Sequence, residues 1–169
     1  MAGKQIDLGP VLRLDAMALG APGRRTFRLA ASSRAGSAWL WLEKEELQVL
    51  GMTIEQLLGR LPLDPALAPT VPQSPSALAA TEAGDRPEIE FKVGRLSMGY
   101  EESDDLFVLL AHEEEADPDG PATLRCQASR RQLRALSQQI TAICASGRPR
   151  CPLCGVPLNG PKHPCPRLN

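Results

Sequence analysis

Three of the five cysteines and one of the two histidines fall in the last nineteen residues: Cys151, Cys154, His163 and Cys165. Cys151-Pro-Leu-Cys154-Gly155 sets two thiols at a spacing that lets both chelate one ion, and Gly155 lets the backbone turn beneath it. His163-Pro-Cys165 offers two more ligands, and Asn159-Gly160-Pro161 favours the turn that brings them back. Three thiols and an imidazole suit tetrahedral Zn2+. With all four positions filled by protein there is no place for water, so the expected role is structural and not catalytic. Leu153, Val156, Leu158 and Leu168 are too few to fold such a tail, whereas structural zinc contributes an apparent ~10 to 16 kcal/mol. Two alternatives remain: a disulfide among these cysteines, which a reducing cytoplasm opposes, or Cys144 or Cys126 in place of His163. The last two read as core residues, on an apolar helix face and a strand.

Other reactive side chains carry weaker signals. His112 beside Glu113, Glu114 and Glu115 invites a general-base or metal reading, but a solvated strand end is the expectation. Asp117-Pro-Asp119-Gly120 resembles the start of a calcium loop without its later ligands, and reads as a hairpin turn. There is no phosphate-binding glycine loop, nucleophile elbow or paired-carboxylate arrangement. The sequence therefore gives no positive support for an enzyme and assigns no catalytic or organic-cofactor residues. Trp39 and Trp41 share one face of a strand. Either the linker or the zinc tail covers them, or they form an exposed partner site of the kind enriched in Trp.

The elements that must position these residues follow from periodicity. Val11 to Leu19, Thr26 to Ala31 and Ser37 to Leu42 read as strands, the first two separated by the turn Gly20-Ala-Pro-Gly23. From Glu43 the period becomes helical, with Leu47, Leu50, Ile54, Leu57 and Leu58 on one face. Glu88 to Gly99, Leu106 to Ala111 and Ala122 to Cys126 read as three more strands, and Ser129 with Gln132 forms a capping box that opens a second helix. Leu133, Leu136, Ile140, Ile143 and Cys144 repeat the first helix's spacing 86 residues on. Ala18-Leu-Gly20 matches Ser97-Met-Gly99 at 79 residues, with an insertion around Glu113 to Gly120 making up the difference. Repeated order and spacing indicate an internal duplication.

The expected fold is α+β: duplicated βββα units sharing one core, followed by a small C-terminal zinc knuckle. The first repeat is placed at 1–61 and the second at 88–147, with the knuckle at 148–169. Between the repeats, 62–87 is rich in Pro and Ala and reads as a linker, although Leu63, Leu67, Val71 and Leu78 could find an apolar groove.

A net charge of -1 over 169 residues leaves no electrostatic footprint for nucleic acid. Met1 to Pro10 lacks an apolar h-region, and no stretch approaches the ~20 apolar residues of a membrane span. A cytoplasmic protein is expected.

Ala21-Pro-Gly-Arg-Arg-Thr-Phe27, Leu42-Glu-Lys44, Phe91-Lys-Val-Gly94, Met98-Gly-Tyr100 and above all Gly147-Arg-Pro-Arg-Cys-Pro-Leu-Cys154 with His163-Pro-Cys-Pro-Arg167 resemble the DUF3090 family. That family of uncharacterised proteins is mainly actinobacterial, and the resemblance covers nearly the whole chain. It implies the CPxCG knuckle and a cytoplasmic protein, and supplies no reaction. Genes beside the family's members resemble a phosphoinositide-kinase-like and a histidine-phosphatase-like protein, which implies a link to a phosphorylation-related pathway. The leading expectation is a noncatalytic adaptor or regulatory module that contacts another protein. Against it stand a nucleic-acid binder using the knuckle, with Arg148, Arg150, Lys162 and Arg167 as its bases, and an enzyme with a cleft between the repeats.

Overall fold

A computed structural model describes residues 5–21, 23–62, 86–145, 151–156 and 163–167. Most of the 62–87 segment, including Leu63, Leu67, Val71 and Leu78, lies outside the described residues.

The chain forms seven strands and two helices: β1 (Ile6–Pro10), β2 (Arg13–Leu19), β3 (Thr26–Ser33), β4 (Gly36–Leu42), α1 (Lys44–Arg60), β5 (Ile89–Glu101), β6 (Leu106–Glu113), β7 (Leu124–Ser129) and α2 (Arg130–Ala145). Alternation dictates which strand face is buried. Phe27, Leu29 and Ala31 on β3, Ala38, Leu40 and Leu42 on β4, Phe107, Leu109 and Ala111 on β6, and Leu124, Cys126 and Ala128 on β7 all point inward. Leu47, Leu50 and Ile54 of α1 and Leu133, Leu136 and Ile140 of α2 complete the same core.

The strands form one sheet in the order β1-β7-β6-β5-β4-β3-β2. Two antiparallel meanders, β2-β3-β4 and β5-β6-β7, are joined by parallel pairing of β4 with β5, and β1 pairs in parallel with β7. The expected three-stranded units are thus parts of a single sheet. β1 escaped the sequence reading because Gly9 and Pro10 interrupt its short alternation.

β1 and β2 sit at opposite edges of that sheet, yet only Val11 and Leu12 separate them. Three Cα steps of 3.8 Å span at most about 11 Å, so the edges must approach one another there. Val11 N–H donates to Gln127 O of β7 at 2.8 Å, and Leu12 N–H to Ser32 O of β3 at 2.8 Å. Successive amides thereby tie both flanks of the sheet together, and the sheet curls around its apolar face.

The helices pack against each other and against this curled sheet. They approach closely at Gly51, where a Cβ would lie 2.8 Å from Ile140 Cγ2. The expected capping box opens α2: Ser129 N–H donates to Gln132 Oε1 at 2.9 Å, and Gln132 N–H to Ser129 Oγ at 3.2 Å. Glu43 and Glu46 form the corresponding box at α1.

Candidate metal centre

Cys151 to Val156 is a tight knuckle. Gly155 takes φ +74°, a conformation open to glycine and strained for other residues. Its N–H donates to Cys151 O at 2.9 Å, and Cys151 N–H donates to Val156 O at 2.9 Å. This turn aims backbone amides at sulfur. The Cys154 amide, then the Leu153 amide, hydrogen-bonds the Cys151 sulfur and outweighs burial, lowering that thiol to about 6. At Cys154 the Val156 amide also favours the thiolate, but burial and the Cys151 and Cys165 sulfurs prevail and raise its pKa. A pair of adjacent thiols cannot both ionise cheaply without a cation between them.

The second arm brings His163 and Cys165 to that knuckle. Cys151 Sγ stands 3.9 Å from Cys165 Sγ, and Cys154 Sγ 3.4 Å from His163 Nε2. All four ligand atoms lie within 4.8 Å of one another. Sulfurs bound at ~2.3 Å to one tetrahedral ion stand about 3.8 Å apart, and a sulfur and an imidazole nitrogen about 3.6 Å. The donor set therefore fits one tetrahedral cation. Cys151 and Cys165 are buried, whereas Leu153 and Val156 are each 47% exposed.

Cys126 and Cys144 stand apart from this set. All three cysteines of the cluster are free thiols. Cys126 is fully buried in β7, where burial pushes its thiol up to about 12. Cys144 lies on α2 with its pKa also raised by burial. Neither joins the cluster, and His163 does.

Trp39 and Trp41 lie on the outer face of β4, both half-buried. The buried Arg28 of β3 places its guanidinium 3.9 Å from the Trp39 ring centroid and 5.7 Å from that of Trp41. Trp41 Nε1 donates to Glu90 Oε1 at 2.6 Å. A stacked arginine thus covers part of the Trp face. The sequence signal for it was a lone charge within the apolar run Phe27-Arg-Leu-Ala-Ala31.

His112 is not a solvated strand end. It is 8% exposed, because β6 continues past it to Glu113 between β5 and β7. Its Nε2 lies 3.2 Å from an Arg95 Nη. Burial first, and the Arg95 charge second, lower its pKa. The Asp117 turn is as expected, with Gly120 N–H donating to Asp117 O at 3.0 Å.

No helix among the described residues is long and apolar enough to cross a membrane. Among the described residues, α1 borders a hollow against β5 and another against α2, and His112 lines neither. No curated protein and no solved structure matches the chain. The sequence profile described as "Protein of unknown function (DUF3090)" matches residues 7–165, so the chain belongs to the DUF3090 family.

Proposed function

We propose that the protein is a cytoplasmic, noncatalytic adaptor or regulatory module whose C-terminal tail is folded by one structural zinc. The convergence of Cys151, Cys154, His163 and Cys165 carries this reading. Three thiols select a borderline-soft cation, and the separations suit tetrahedral zinc. Zinc would join the two arms of the tail; four protein ligands leave no position for a substrate. The exposed Leu153 and Val156 flank Cys154 and offer the tail an apolar contact.

We infer also that the body arose by duplication. Phe27, Leu29 and Ala31 recur 80 residues on as the buried Phe107, Leu109 and Ala111. Leu47, Leu50 and Ile54 recur 86 residues on as Leu133, Leu136 and Ile140. Ala16 pairs with Leu29, and Met98 with Leu109. The first strands therefore correspond at 82 residues, and this register does not support the match of Ala18-Leu-Gly20 to Ser97-Met-Gly99.

The test is elemental analysis of the purified chain and its ligand variants. One zinc per chain is expected, lost in Cys154→Ser. Full zinc in both Cys151→Ser and Cys154→Ser would overturn the metal reading. The adaptor reading fails if a chain that keeps zinc and fold turns over a substrate at a site in the body.

A further inference from the structure

The two helices leave their strands in different states. α1 follows β4, which pairs with β5 only over Ile89–Lys92, so β5 continues beyond its parallel neighbour. α2 follows β7, which pairs with β1 only over Ile6–Pro10, so β2 likewise continues beyond. At α2 the extension is closed by two glutamine amides. Gln132 Nε2 donates to Val11 O at 2.7 Å; Gln139 Oε1 accepts the Ala16 N–H at 2.9 Å while its Nε2 donates to Asp15 Oδ1 at 3.0 Å. Leu14 and Ala16 are buried there.

At α1, the 86-residue offset of the buried helix faces places Glu46 and Thr53 where α2 has Gln132 and Gln139. Glu46 accepts the Glu43 N–H at 2.8 Å and, as a carboxylate, has no proton to give a strand carbonyl. Thr53 turns back, its Oγ1 donating to Val49 O at 2.8 Å. No hydrogen bond among the described residues joins α1 to 94–101. Between them lies a cleft of about 300 Å³, walled by Glu45, Glu46 and Val49 on α1 and by Arg95, Leu96 and Met98 on β5. Leu96 and Met98 are only half-buried, and Val49 is 56% exposed.

We propose that this cleft takes an extended segment of a partner polypeptide, which adds as a strand to the edge of β5 that is unpaired among the described residues, between that strand and α1. A strand edge is a row of amide donors and acceptors repeating at about 3.3 Å per residue, and an extended chain is the ligand that matches it. Residues 94–101 contain no Pro or Lys to blunt the edge. Leu96, Met98 and Val49 seat alternate apolar side chains. Glu45 and Glu46 favour a basic residue on the incoming chain, while Arg95 is already directed at His112. This site gives the adaptor reading a specific contact but does not rest on the metal tail.

The test uses full-length, zinc-containing protein and an octapeptide of alternating valine and threonine with a lysine at each end. Saturating peptide should slow exchange about tenfold or more at those amides of Leu96 to Met98 that point away from β6. A version with alternate backbone nitrogens methylated should have no effect. Glu46→Gln with Thr53→Gln gives α1 the amides used by α2 and should abolish the peptide-dependent slowing with zinc content unchanged. Val49→Arg, on an exposed helix position, should do the same by filling the cleft. No slowing at millimolar peptide, or full protection retained in both variants, overturns the proposal. Edge amides already protected without peptide overturn it too: protection independent of protein concentration would mean the chain's own segment occupies the edge, and protection that grows with concentration a second copy. Lost zinc with intact peptide binding would count against the metal reading alone.

Discussion

The curled body and the cysteine tail are built in opposite ways. The body buries a continuous cluster drawn from every strand and both helices, running from Leu8 to Ile140. In the tail, the only buried side chains among the described residues are Cys151 and Cys165, while the large apolar Leu153 and Val156 face outward. Apolar burial yields ~25 cal/mol per Å² and needs a large enclosed surface. Ligand bonds need only four atoms at the right separation. With a metal in the proposed site, the body would tolerate many small changes and the tail would fail at one.

Metal removal should give the largest effect. A structural zinc site is worth an apparent ~10 to 16 kcal/mol to its fold. Chelator treatment, or Cys154→Ser, should release the metal and erase amide-exchange protection in 151–156 and 163–167. The body's melting transition should stay in place. A body that melts along with the tail would break the comparison, because it would show that the two share a cooperative unit.

The next effect belongs to the core. Leu29→Ala or Leu109→Ala removes a side chain that is at most 2% exposed and should cost ~2 to 5 kcal/mol in denaturant unfolding. Zinc content should not change. Leu153→Ala, at an exposed tail position, should alter stability by no more than about 0.5 kcal/mol. Equal costs at Leu29 and Leu153 would mean that apolar burial holds the tail as well.

How much of this was written plainly in the sequence differs between the two regions. The convergence of the four tail residues was legible because a shared ligand site depends on residue type and short spacing, and the turn at Gly155 favours a glycine. The body's strands and helices were legible from period, as in Phe27-Leu29-Ala31 and Leu47-Leu50-Ile54. How the strands assemble was not, since nothing local tells Ile6–Pro10 to pair with β7 or Trp39 to lie beside Glu90. Arg28 and Arg95 were missed for the same reason: each acquires its role from a residue on another strand, Trp39 and His112.

A smaller effect is expected where the body mixes both modes. Arg28 stacks on Trp39, so the pair couples a buried cation to a half-buried ring. Trp39→Ala should destabilise the body by about 1 to 3 kcal/mol, from lost area and the cation–π contact together. A double-mutant cycle with Arg28→Ala measures the coupling. Zero coupling would show that the stack is incidental. Loss of a partner without loss of stability would instead restore Trp39 and Trp41 as a contact site.

The smallest effect concerns acid, and it separates the regions by mechanism. His112 is buried in the body, and burial together with Arg95 holds its pKa below the ordinary 6.5. Unfolding exposes the imidazole, which then takes up a proton at a pH where the folded form does not. The unfolded state thus binds more protons below about 6.5, and body stability should fall as pH drops from there toward the folded-state pKa. Above that window the contribution is fully present. The tail should respond to acid by a different route, because protons compete with metal for the Cys151, Cys154, Cys165 and His163 ligands. His112→Gln replaces the imidazole with a group that does not titrate. It should flatten the body's stability between pH 7.5 and pH 5.5 while the tail's zinc release keeps the same midpoint. An unflattened profile would mean that His112 ionises in the fold as readily as in the unfolded chain, and a shifted zinc midpoint would mean that the two regions are coupled after all.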